Sequence, residues 1–79
     1  MTQYVLYGTS ACHLCDIAEA MLQQEQQAGS VFEFETVDIS ESDALFERYG
    51  VLIPVLQHPD GRELNWPFSR EQLRLFMAA

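Results

Sequence analysis

The sequence predicts an α/β sandwich in which helices flank a four-stranded mixed sheet, with elements in the order β-α-β-α-β-β-α. Three observations carry this prediction. Tyr4-Val5-Leu6-Tyr7, a β-branched and aromatic run, stops at Gly8 and gives way to apolar residues at three-four spacing, which reads as strand then helix. Phe32 and Phe34 then alternate with Glu33 and Glu35, a second strand that a right-handed crossover sets parallel to the first. Asp60-Gly61, a turn former between two apolar stretches, adds an antiparallel hairpin.

The elements follow in order. The first strand ends near residue 7, with Thr9 and Ser10 as turn formers after it. Leu14, Ile17, Ala18, Met21 and Leu22 make one face of a helix that ends near Ala28, where Gly29 is placed as its stop. In "VFEFETVDI" the apolar phase slips from Phe32 and Phe34 to Val37 and Ile39, which marks either a bulge or a change in which face is covered. Ser40, with Asp43 three residues on and Ala44-Leu45-Phe46 following, predicts a capped short helix closing at Tyr49-Gly50. A hairpin is expected from about Val55 through Leu64. Ser69 and Gln72 have the spacing of a capping box, and Leu73, Phe76 and Met77 form the apolar face of the last helix.

The 79 residues are read as one domain, 1–79, too short to divide. Hydrophobic residues make up 48% of the chain and charged residues 20%, a composition that folds rather than stays disordered. Twelve Asp and Glu stand against four Arg and no Lys, for a formal net charge of −8. Such a surface repels phosphate, so nucleic acid and anionic membrane are excluded as partners. Met1-Thr2-Gln3 carries no basic leader pattern, and no apolar run approaches the ~18 residues of a membrane span, so a cytoplasmic location is expected.

Chemistry concentrates in "SACHLC". Cys12 and Cys15 are the only two cysteines, three positions apart, between the end of the first strand and the start of the first helix. A permanent staple is the least favoured reading, because cytosolic disulfides are mostly transient and so short a loop removes little entropy from the unfolded chain. A structural zinc site closes with four ligands, and besides Cys12, His13 and Cys15 only His58 is at hand, so no metal residues are assigned. Exchange chemistry fits better. The unpaired amides of the first helical turn favour a thiolate on Cys12, the nucleophile, while Cys15, one turn in, is expected to be more buried and to resolve a mixed disulfide. His13, if protonated, would stabilise the Cys12 thiolate, and Asp16 would disfavour ionisation of Cys15. His13 is equally consistent with plain first-turn exposure, and Asp16 is read first as an ordinary first-turn acid interacting with the helix dipole.

Tyr4 to Gly8 as strand, "TSACHLCDIAEAML" as turn and helix, and "YGVLIPVL" before a hairpin together resemble the glutaredoxin-like proteins of the thioredoxin-fold superfamily, over nearly the whole chain. The resemblance implies a thioredoxin-like sandwich and a thiol–disulfide oxidoreductase in cell redox homeostasis. It also implies a cis Ile53-Pro54 bond beside the cysteines, with Ile53 and Pro54 presenting backbone to a substrate. A disulfide-containing protein or a glutathione mixed disulfide is the implied partner, with a monomer as the working unit and no cofactor beyond glutathione as a co-substrate. Departures accompany the matches. Family members carry a Lys before the first cysteine, a Pro-Tyr pair between the cysteines and a Gly-Gly-x-Asp segment at the last helix. Here those stretches read Gly8-Thr9-Ser10-Ala11, His13-Leu14 and Asn65-Trp66-Pro67-Phe68-Ser69-Arg70. Arg70, at the start of the last helix, is expected to substitute by pairing with a substrate carboxylate. Trp66, Phe68 and Tyr7 are read first as packing residues, and Arg48 and Arg62 as solvated charges. The alternative function is a non-catalytic protein-binding module on the same fold, its cysteines serving only as small buried residues.

Overall fold

Leu6 is buried on a strand with neighbours on both sides. The computed structural model describes residues 3–78. It contains β1 (Gln3–Gly8), α1 (His13–Gln27), β2 (Glu33–Asp38), a 3₁₀ turn (Ile39–Glu41), α2 (Asp43–Tyr49), β3 (Val55–Gln57), β4 (Glu63–Asn65) and α3 (Arg70–Ala78). The sheet has the order β2-β1-β3-β4, with β2 parallel to β1 and the other neighbours antiparallel. Element order, mixed sheet and flanking helices are those the sequence predicts.

Alternation along the strands divides the core between the two faces of the sheet. Tyr4, Leu6 and Leu56 pack with Ala18 and Leu22 of α1 and with Phe68 and Leu73. Val55, with Tyr7 and Ile53 beside it, packs with Ile39, Leu45 and Tyr49 around α2. The two faces account for the phase slip: β2 pairs with β1 without interruption from Gln3↔Glu33 to Gly8↔Asp38, so no bulge is present. Phe34 serves the first cluster, whereas Ile39, just past the strand, serves the second.

Local signals set most boundaries. Gly29 adopts φ 108°, a conformation only glycine reaches easily, and stops α1 where expected. The α2 cap is shifted from the expected position. Asp38 captures the Ser40 amide (2.9 Å) and hydroxyl (2.7 Å), drawing the chain into the 3₁₀ turn, so Ser42 becomes the cap and its Oγ accepts from the Leu45 amide at 3.3 Å. The capping box of α3 forms in both directions: the Gln72 amide donates to Ser69 Oγ (3.0 Å) and the Ser69 amide to Gln72 Oε1 (2.8 Å). Between α1 and α3 lies a feature that the apolar pattern does not announce. The Glu25 side chain is 3% exposed and accepts from Arg70 Nη2 (2.6 Å) and Arg74 Nε (2.9 Å).

Candidate functional site

The C-terminal end of β1 delivers the chain to the start of α1, and the cysteines occupy that junction. Cys12 is the helix N-cap: its backbone is extended (φ −107°, ψ 105°) and its Sγ accepts from the Cys15 amide at 3.1 Å. A sulfur so placed faces the unpaired amides of the first turn, where negative charge is favoured. Cys12 and Cys15 are joined as a disulfide, with Cα atoms 5.2 Å apart. Cys15 is 7% exposed and Cys12 half-buried, so Cys15 is the more buried of the two, as expected from its place one turn into the helix. His13, Leu14 and Asp16 are exposed around them.

Strand register brings the second component alongside. Tyr7 pairs with Val55, so one antiparallel step further puts Pro54 across from Gly8, at the edge of the cysteine loop. The Ile53-Pro54 bond is cis, as the resemblance implied, and Pro54 is buried. The Tyr49 carbonyl accepts from the amides of Leu52 (2.7 Å) and Ile53 (3.2 Å), which turns the chain from α2 into this position. Trp66-Pro67 is a second cis bond, which the sequence reading did not include.

A cleft of about 220 Å³ opens beside the buried cysteine, lined by Thr9, Ser10, Cys15, Asp16, Glu19 and Asp38. Hydrogen bonds from the Ser40 hydroxyl and amide, with a further one from Thr9, hold the Asp38 carboxyl below the usual carboxylate range. Among the described residues, no group of three or more His, Cys, Asp or Glu is arranged to hold a metal ion.

Arg70 is not part of this site. Its guanidinium is committed to Glu25, ten residues beyond Cys15 and so ~15 Å along α1, and the carboxylate it was expected to find in a substrate is supplied by the chain itself. The other assignments fall as read. Tyr7 stacks on Tyr49 at 4.3 Å and donates to Gln57. Phe68 is buried and Trp66 packs against it edge-on. Arg48 and Arg62 lie at the surface, paired with Glu63 and Asp60. No helix among the described residues is long and apolar enough to cross a membrane.

A family model described as a glutaredoxin-like domain matches residues 3–78. The crystal structure of structural-genomics target protein XcR50 from X. campestris is similar over 96% of this chain and 97% of that one, at 43% identity and a TM-score of 0.82. Its solution structure gives 42% identity and a TM-score of 0.78, over 100% of this chain and 96% of that one. The solution structure of protein Ne2328 from Nitrosomonas europaea is 28% identical with a TM-score of 0.80, over 95% and 89% of the two chains. No curated protein matches the sequence.

Proposed function

Because this chain belongs to the glutaredoxin-like domain family, with a thioredoxin-like fold, we propose that it is a dithiol–disulfide oxidoreductase acting through Cys12 and Cys15. The observation that carries the reading is the bonded pair at a helix start, with the half-buried Cys12 as the cap and Cys15 beneath it. In the reduced protein the Cys12 thiolate attacks one sulfur of a substrate disulfide. That S–S bond breaks, one substrate thiolate leaves and takes a proton from water, and a mixed disulfide remains on Cys12. Cys15 then gives up its proton and attacks Cys12 Sγ. The second substrate thiol departs, and two electrons have passed from the protein to the substrate.

In this reading His13, when protonated, favours the Cys12 thiolate, and Asp16 sets a negative charge beside Cys15. Ile53 and Pro54 offer backbone to an extended substrate next to the sulfur. The substrate is a disulfide-containing protein or a glutathione mixed disulfide, and an external thiol such as glutathione restores the dithiol. We place this activity in redox homeostasis of the cytoplasm, carried out by a monomer.

Intact-mass analysis in a series of glutathione redox buffers tests the proposal. Conversion to the Cys12–Cys15 disulfide between about −180 and −300 mV is expected, with loss of turnover in Cys12→Ser and a trapped adduct in Cys15→Ser. Thiols that stay reduced and unmodified throughout, or normal turnover by Cys12→Ser, would overturn it and favour the non-catalytic binding module.

A further inference from the structure

Gly8, the last residue of β1, has no side chain, and the space a side chain would take is filled by Cys15. A Cβ built on Gly8 would lie 2.9 Å from Cys15 Sγ and 3.1 Å from Cys15 Cβ. Ordinary contact between such atoms is about 3.5–4.0 Å, so the two groups cannot share the space. Neither wall is free to retreat. Gly8 sits on a strand with neighbours on both sides, in register with Asp38 of β2. The first turn of α1 is fixed by the Cys12 cap and by the bond from the Asp16 amide to the Cys12 carbonyl, 3.2 Å.

The geometry points to Gly8 as a positioning residue for the dithiol: it provides the slot that Cys15 Sγ occupies in the disulfide, and so favours the oxidised form relative to a chain with a side chain at position 8. This inference rests on the oxidoreductase reading above and deepens it. The argument turns on which redox state feels the crowding. In the disulfide, Cys15 Sγ is tied to Cys12 and cannot leave the position against Gly8. In the dithiol, that bond is absent and rotation about the Cys15 side chain carries the sulfur elsewhere. A methyl group at position 8 therefore penalises the disulfide beyond the contact with Cys15 Cβ, which both states share. Gly8 acts through Cys15 and touches no substrate.

The test is the glutathione equilibrium of the parent and of Gly8→Ala, read by intact mass, with far-ultraviolet circular dichroism of the reduced proteins as the check on folding. The disulfide of Gly8→Ala is expected to open at least tenfold more readily, a shift of about 30 mV toward an oxidising potential. Thermal melts of Gly8→Ala in the oxidised parent and in Cys15→Ala form the second measurement. The substitution should lower the melting temperature less where the sulfur has been removed. A parent that forms its disulfide while Gly8→Ala matches its equilibrium within twofold would overturn this inference and leave the oxidoreductase reading standing. A parent that forms no disulfide would overturn both. If Gly8→Ala fails to fold as the disulfide, its folding as the dithiol supports the slot, and failure of both forms refutes it.

Discussion

Replacing Tyr49 by Phe removes one oxygen atom and keeps the rest of the ring's surroundings. Tyr49 is 3% exposed; its ring stacks on Tyr7 at 4.3 Å, and the Arg48 guanidinium lies 5.1 Å from its centroid, contacts that Phe retains. What is lost is the hydroxyl's donation to Glu63 Oε2, which ties α2 to β4 beside the loop that carries Pro54. A hydrogen bond to a charged group contributes about 1.5–3 kcal/mol. Glu63 keeps Arg48 at 3.5 Å and its side chain is 22% exposed, so water reaches the abandoned carboxylate and the loss falls at the low end, about 1.5 kcal/mol. An unfolding entropy of about 0.17 kcal/mol/K for a chain of this length turns that into a melting temperature lower by about 9 °C. Thermal melting by circular dichroism at neutral pH measures it. Glu63→Gln and the double variant complete a cycle in which a coupling of about 1 kcal/mol is expected. A Tyr49→Phe protein melting within about 2 °C of the parent, or an additive cycle, would refute the assignment. Alkaline pH supplies an independent check. Burial first, and then the Glu63 carboxylate that accepts its proton, hold the Tyr49 phenol well above its ordinary value of 10.0. Above about pH 10 the unfolded phenol releases its proton while the folded one keeps it, so this contribution is complete below that pH and declines as pH rises. Burial raises Tyr4 as well, so Tyr49→Phe should remove part of the alkaline decline and not all of it.

Two further expectations concern the last helix. Hydrogen bonds from Arg74 and Arg70 hold the Glu25 carboxyl below its ordinary value of 4.5, so its stabilisation is complete above that pH and is lost as pH falls through the lower folded value. Glu25→Gln should flatten the acid side of a melting-temperature profile, and parallel profiles for parent and variant would contradict this. Ser69→Ala removes one half of the capping box and should lower stability by about 1 kcal/mol, seen as a smaller urea midpoint at unchanged slope; an unshifted midpoint would mean that the box contributes nothing in this setting.

The sequence made the fold legible wherever a short-range pattern decides the outcome. A β-branched and aromatic run ending at Gly8 placed β1, alternation placed β2, the three-four spacing from Leu14 placed α1, and Asp60-Gly61 placed the hairpin. Ser69 and Gln72 announced α3. The cap of α2 was read at Ser40, whereas Ser42 is the cap, because Asp38 takes the Ser40 amide and hydroxyl first. Long-range decisions were not legible. Glu25 looks like any acid on a polar helix face, and only arginines 45 and 49 residues further along bury it. The same pairing withdrew Arg70 from the site proposed for it. The cysteine pair could be read from spacing and placement, whereas the cis bond before β3 came only from the family resemblance. Gly8 was read as the end of a strand, since nothing in its neighbours' identities reveals the Cys15 sulfur packed against it.

Because Cys12 Sγ is the cap of α1, the atom that would carry the chemistry is also an architectural part, and this bears on how an inactive control should be made. Alanine at position 12 would delete the sulfur and the acceptor for the Cys15 amide together, so a weakened protein and an unreactive one would look alike. Serine keeps an acceptor of the kind that helix starts favour while lacking a thiolate. Substitution by serine therefore separates reactivity from folding at this position.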